Sequence, residues 1–277
     1  MKRREFLAML GGAALATPGL ARAENGRTYR LGTLQDIKTH GADVVVIIGY
    51  PTAVAAKAVG LPTVAASGIG DPVETGLIQS LARPGGNITG ISDVAAMLST
   101  KRLSLLKELV PKLKKVAMIW NRDDLGMTLR YQASAKGAQA IGVEVEAVGV
   151  RAPDDFDEAF SVMAGEPPDA ILMVADALTN LNRKRVFEFA AARKIPAIYE
   201  FDYLVRDGGL MSYGPDQKET LERAAALVDR ILKGANPADL PFEQPTRYLF
   251  VLNLKTAKAA GFEIPTTLLA LADEVIE

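Results

Sequence analysis

From Ala42 onward, short unbroken apolar runs alternate with longer stretches whose apolar residues recur every three or four positions. The runs "DVVVIIG", "LPTVAAS", "KKVAMIWN" and "PDAILMVAD" are rich in β-branched or small apolar residues. Such runs fit parallel strands buried on both faces. "PTAVAAKAVG" predicts a helix closed by Gly60, a residue that accepts the left-handed conformation a helix end needs. "DPVETGLIQSLA" predicts another, with Asp71 as N-cap, Pro72 at the first position and Glu74 at the third. In "STKRLSLLKELVP", Leu103, Leu106 and Leu109/Val110 form one apolar face. Further helices are expected in "GMTLRYQASAKGAQAIG", "DDFDEAFSVMAG", "NRKRVFEFAAARKI" and "DQKETLERAAALVDRILKG". Strands are expected in "TYRLGTL", "VEVEAVGV", "PAIYEF", "GGLMSYG" and the start of "RYLFVLNLKTAKAAGFEIP".

Repeated βα units imply parallel sheets with helices on both faces. Two sets are visible, Thr28–Pro111 and Lys112–Tyr203. The expected fold class is therefore α/β, with two doubly wound parallel-sheet lobes facing each other across a hinge. The boundaries read as 24–111 for the first lobe and 112–277 for the second lobe with the closing segments. Part of 205–235 is free to return to the first lobe. A single barrel would need eight regular units, and "GGLMSYG" sits where a crossover between lobes fits.

The first 23 residues have a different pattern. Lys2, Arg3 and Arg4 precede a Gly/Ala/Leu-rich stretch that ends at Ala21-Arg22-Ala23. This is the layout of an export signal cleaved after Ala23, and Arg3-Arg4 followed by Glu5-Phe6-Leu7 suits a twin-arginine signal. A periplasmic mature chain is expected. Composition agrees, with 49% hydrophobic residues and a formal charge of −1 over 277 residues, without a basic block for nucleic acid. The chain has no Cys and one His, His40, in a short polar linker. That removes disulfides, a cysteine nucleophile and thiolate metal sites, and leaves no well-placed base for a serine nucleophile.

Candidate chemistry lies at strand ends, because open α/β sheets bind ligands beyond the carboxyl ends of their strands. In the first lobe the openings are Gly49–Ala53 and Ser67–Asp71; in the second they are Trp120–Asp124 and Ala175–Asn180. Helix N-termini there suit a carboxylate. Thr52 and Ser67 add hydroxyls, Asp71 and Asp176 can accept from an ammonium, and Asn121 can donate or accept. Tyr213, in "SYG", is the aromatic candidate. Each has a plainer reading: Asp71 and Asp176 as helix caps, Thr52 and Ser67 as turn residues, Trp120 as core. "GIGDPV" has Val73 where a dinucleotide fingerprint needs glycine, and no phosphate loop is present. No cofactor or metal is expected.

The phrases "SLARPGGNITGIS", "KRLSLLKELVP", "IPAIYEF", "GGLMSYGPD", "ILKGANPADLPFEQPT" and "LNLKTAKAAGFEIPTTLLALADEVIE" resemble, in the same order, the ABC-transporter substrate-binding proteins of the tryptophan/aromatic amino-acid type. The resemblance covers about Ala42 to Glu277. It implies the type 1 periplasmic binding fold, a small-molecule ligand held between two lobes, and delivery to an ABC permease in the inner membrane. It also implies ligand contacts at Thr52 and Ala53 in "GYPTA", Ser67 and Asp71 in "SGIGDP", Asn121 in "WN", and Asp176 and Tyr213. The chain departs from that pattern near Gln35-Asp36, where a helix, a strand and most of a second helix of the first lobe are missing. Parallel neighbours need a crossover of a dozen or more residues. The strand in "TYRLGTL" is therefore not expected to pair with "DVVVIIG".

The resulting expectation is a non-enzymatic, monomeric solute-binding component of an importer that captures a small ligand such as an amino acid. The alternatives are a sensor or interaction module with a degenerate lobe, and an enzyme on an α/β scaffold.

Overall fold

The computed structural model describes residues 20–22, 28–30, 34–92 and 94–277. The proposed export signal lies outside the described residues except for its last positions. In chain order the elements are β1 (Leu20–Arg22), β2 (Thr28–Arg30), α1 (Leu34–Thr39), β3 (Val45–Ile48), α2 (Tyr50–Val59), β4 (Thr63–Ser67), β5 (Ile88–Gly90) and α3 (Ala95–Leu109). Then follow β6 (Lys115–Asn121), α4 (Leu125–Gln139), β7 (Glu144–Val150), α5 (Asp155–Gly165), β8 (Ala170–Met173), α6 (Ala177–Leu181), α7 (Arg183–Arg193) and β9 (Ala197–Tyr199). The last are α8 (Asp202–Arg206), β10 (Met211–Pro215), α9 (Gln217–Leu232), β11 (Tyr248–Asn253), α10 (Leu254–Ala260), α11 (Thr266–Leu271) and β12 (Glu274–Ile276).

The chain divides into two compact units. Unit 1 comprises Met1–Ser92 and Leu221–Glu243, and unit 2 comprises Asp93–Thr220 and Gln244–Glu277. The sequence expectation put the division at Pro111. In the structure it falls at Ser92, because α3 buries Leu103, Leu105 and Leu106 in the core of the β6 sheet.

Unit 1 is built on a parallel sheet of order β3-β4-β5. All five residues of β4 are buried, as a central strand covered on both faces must be. Ala65 joins Val45, Ile47, Ala53, Leu61 and Ile88 on one face. Val64 and Ala66 join Leu227, Val228 and Ile231 of α9 on the other. The returning segment is tied to β5 by backbone N–H of Glu243 to Gly90 O (2.9 Å) and by the Thr89 hydroxyl to Leu240 O (2.8 Å). Strand β2 pairs antiparallel with β1 and not with β3.

One expected element of unit 1 does not form. The stretch from Pro72 to Ala82 is a chain of turns and bends, not a helix. Gly76, at φ +71°, ends the first turn, and Ile78 N–H bonds back to Pro72 O (3.0 Å). Gln79 N–H then goes to Pro84 O (3.0 Å). A left-handed residue five positions in, followed by bonds of other spacing, leaves no i→i−4 ladder to propagate.

Unit 2 carries a seven-stranded sheet, β12-β11-β10-β9-β8-β6-β7, parallel except where β10 meets β11. Period-two alternation sorts β6: Val116, Met118 and Trp120 face the side of Leu103, Leu106 and Met127. Ala117 and Ile119 face the side of Phe156, Met163 and Val186. The order starts from β6 and steps outward in both directions, to β7 and to β8, which places a topological switch point at the carboxyl ends of these strands.

Candidate functional site

In unit 1 the register pairs Ile48 with Ser67, so the ends of β3 and β4 lie side by side. Gly49 N–H donates to Ser67 O (3.0 Å). A Cβ on Gly68 would lie 3.3 Å from Gly49 N, and Gly68 itself sits at φ +73°, so the close approach of the two openings depends on glycine there. The two openings that the sequence singled out are therefore adjacent.

Their side chains have distinct fates. The Thr52 hydroxyl donates within its own turn, with Ile48 O and Gly49 O both at 2.7 Å. Ser67 is buried, and its hydroxyl is not tied to any other described residue, so it can donate elsewhere. Ala53 is fully buried in the core with Val45 and Ile47, which corrects its expected contact role for the side chain. Asp71 is exposed and caps no helix. Its Oδ1 accepts the N–H groups of Val73 (2.8 Å) and Glu74 (3.0 Å), closing a turn in the way short polar side chains commonly do. Helix α2 has Gly49 as a cap without a side-chain bond, and its first ladder bond runs from Ala53 N–H to Gly49 O (3.2 Å). Thr52 N–H precedes that bond and lies outside the ladder.

In unit 2, Asn121 and Asp176 are joined directly. Asn121 N–H donates to Asp176 Oδ2 (2.9 Å), and Asp176 Oδ1 accepts Thr179 N–H (2.9 Å). The Thr179 hydroxyl accepts Asp176 N–H (3.0 Å), completing a reciprocal cap of α6. Asp176 is thus both a cap and a half-buried carboxylate; an ionised carboxylate has about four acceptor positions, so it keeps acceptor capacity. Burial pushes its carboxyl above the ordinary value, against the lowering effect of the Thr179, Asn121 and Leu178 N–H groups. Asn121 Oδ1 accepts Asp123 N–H (3.1 Å). Asp124 caps α4 through Met127 N–H (3.2 Å). Burial pushes the Asp124 carboxyl up to about 6. Tyr213, half-buried on β10, stacks on Tyr248 with ring centres 6.2 Å apart. Trp120 is 5% exposed and stacks on Tyr131 at 4.1 Å, the core role its plainer reading gave it.

Sequence reasoning missed a buried group beneath these residues. Glu200, just after β9, is held between Arg102 of α3 (2.9 Å) and Arg130 of α4 (2.6 Å), and all three side chains are 1–2% exposed. Burial alone would raise the Glu200 carboxyl, but the Arg130 and Arg102 guanidiniums outweigh it and hold the carboxyl below its ordinary value. A signal existed. Arg102 lies four positions after Leu98, and Arg130 three after Met127, inside the buried stripes of their helices.

An α/β chain with two units built on parallel sheets, and polar groups gathered at the strand ends of each, has the architecture of a type 1 periplasmic binding protein. The family model for ABC transporter substrate binding protein matches residues 21–276, and the chain belongs to that family. An ABC domain from Streptococcus pneumoniae, solved in complex with L-Trp, is 27% identical with a TM-score of 0.79, covering 87% of this chain and 83% of that one. A conserved domain protein from Vibrio cholerae is 25% identical with a TM-score of 0.80, covering 87% and 81%. A tyrosine-binding protein from Clostridioides difficile is 29% identical over 222 residues, which is 80% of this chain. This chain spans only 64% of that relative's length.

Proposed function

We propose that this protein captures a free aromatic amino acid of the L-Trp or L-Tyr class outside the cytoplasm and presents it to an ABC permease. The observation that carries this reading is the match, over 87% of the chain, to a domain that holds L-Trp. The strand-end chemistry supports it. Ser67, the Thr52 N–H and the open end of α2 suit a carboxylate. Asp176, braced by Asn121, suits an ammonium, and Tyr213 supplies an aromatic surface. Asp71 is proposed only as an outer acceptor, since its carboxylate already closes a turn. Export by the twin-arginine-like signal at Arg3-Arg4 and action as a monomer belong to the same proposal.

The test is calorimetric titration of protein stripped of ligand by unfolding and refolding. L-Trp or L-Tyr is expected to bind, while glycine and L-Lys do not. Absence of heat and of any melting shift with every aromatic amino acid at ~1 mM, a level that reveals even weak binders, would end the proposal.

A second reading is favoured by one observation. Among the described residues the unit-1 sheet has three strands, consistent with a shortened lobe that serves a sensing or interaction role. Failure of the titration together with a properly folded unit 1 would favour it.

A further inference from the structure

We propose that the buried Arg102–Glu200–Arg130 group is a positioning device that fixes the unit-2 ligand contacts Asp176 and Tyr213; the proposal rests on the ligand-capture reading above. The bonds run from one side chain to both places. Glu200 Oε2 accepts the backbone N–H of Ala175 at 2.8 Å and Arg130 Nη1 at 2.6 Å. Ala175 is the residue before Asp176, so the carboxylate holds the turn on which Asp176 stands. Glu200 Oε1 accepts Arg102 Nη1 at 2.9 Å, and Arg102 Nε donates to Tyr213 O at 2.7 Å. The turn after β8, the end of β9 and the middle of β10 are thereby linked through a single carboxylate and one guanidinium fork.

The packing allows no slack. A Cβ on Gly214, next to Tyr213, would lie 1.8 Å from Glu200 O. The β10 backbone is pressed against the β9 end at the same level as the ionic group. Burying three charges is a poor way to gain stability, because desolvation offsets most of the attraction and well-packed apolar residues often serve as well or better. What the charges provide here is direction. Glu200 Oε2 takes Ala175 N–H and Arg130 Nη1, and Oε1 takes Arg102 Nη1, so the carboxylate is fixed from three sides by groups that lead to the residues proposed to touch the ligand. The ionised state of Glu200, maintained by both arginines, keeps all of these acceptors in place.

The test uses Glu200→Gln and Arg102→Lys in the full chain. Glutamine keeps an acceptor for Ala175 N–H but loses the charge that orients both arginines. Lysine keeps the charge but cannot bridge Glu200 and Tyr213 O as a planar fork does. Affinity for L-Trp and L-Tyr is measured at a temperature where each variant is fully folded, together with backbone hydrogen exchange. Affinity is expected to fall by about tenfold or more, as for a site whose supporting shell is loosened. Faster exchange is expected at Ala175–Thr179 and Ser212–Gly214 and little elsewhere. Folded variants with wild-type affinity, or with faster exchange spread evenly over unit 2, would overturn the proposal. Should Glu200→Gln fail to fold, Arg102→Lys decides alone. Should the wild-type protein bind no aromatic amino acid, the capture reading fails, and the exchange pattern still decides whether the group positions these two segments.

Discussion

Asp124 pays for its place as the cap of α4. It is 3% exposed, and burial raises its carboxyl to about 6 from 3.8, despite the favourable Met127 N–H bond and the attraction of Arg130. Because the folded value lies above the unfolded one, the folded state binds the proton more tightly. The stabilisation from that proton is complete below the unfolded value and is lost as pH rises through about 6. Asparagine caps a helix as well as aspartate does, without the charge. Asp124→Asn is therefore expected to raise stability at neutral pH by roughly 2 kcal/mol, with the gain shrinking toward pH ~4. Denaturant unfolding across that range checks it, and a variant that is less stable than wild type at neutral pH contradicts it. Ser67 makes the opposite case. Its hydroxyl holds no other described residue, so Ser67→Ala is expected to leave the ligand-free stability within about 0.5 kcal/mol. The same change should weaken aromatic amino-acid binding by about 1.5–3 kcal/mol, the worth of a hydrogen bond to a charged group such as the proposed carboxylate. Equal affinity in calorimetry would remove Ser67 from the site. Both residues were legible as strand-end polar groups. What the sequence did not reveal is where each hydroxyl or carboxyl spends its bonds: Thr52 inside its own turn, Asp71 on Val73 and Glu74, Ser67 on neither.

Among the elements, strands were legible because burial on both faces leaves unbroken apolar runs such as "VVII" in β3 and "AILM" in β8. Long helices were legible through caps and periodicity. Gly60 indeed closes α2 in the left-handed conformation. The stretch after Asp71 shows the limit of that logic. Its N-terminal residues suit a helix, but Gly76 takes a left-handed turn and the segment spends its apolar residues Leu77 and Ile78 on the unit-1 core. Local preference yields to packing when a short segment has both options. The five-residue helices α6 and α8 were invisible for a related reason, being too short to show a period. Unit 1 offers a sharp test of how its small sheet is held. A Cβ on Gly90 would lie 2.1 Å from Ala65 O, so β4 and β5 cannot keep their register with any side chain there. Gly90→Ala is expected to destabilise unit 1 by about 1–3 kcal/mol or somewhat more, the range for forced overpacking in a core. Denaturation followed by circular dichroism reads this, and a loss below about 0.5 kcal/mol, the scale of an indifferent surface change, would mean that the strand can shift freely.

At the scale of the whole molecule, the two-unit plan was legible from two successive βα sets, while the boundary was not. Helix α3 follows unit-1 strands in sequence but packs its leucines on β6, and only the three-dimensional core decides that. The units differ greatly in what holds them. Among the described residues, unit 2 has seven paired strands with apolar clusters on both faces, and the main sheet of unit 1 has three. Less buried surface gives a smaller unfolding free energy and a shallower denaturant response. Unit 1 is therefore expected to open first when no ligand is bound. The single tryptophan makes this separable, since Trp120 lies in the unit-2 core against Tyr131. Fluorescence excited where tyrosine does not absorb then follows unit 2 alone, while far-ultraviolet circular dichroism follows both units. The dichroism transition is expected to begin at lower denaturant than the fluorescence transition. A ligand that binds only the folded state stabilises it, so under the proposed capture role L-Tyr at about a hundred times its Kd should add roughly 2.7 kcal/mol to whatever holds it and move the fluorescence transition to higher denaturant. Coincident curves without ligand would show one cooperative unit. A fluorescence transition that saturating L-Tyr leaves in place would show that unit 2, Asp176 included, does not hold the ligand.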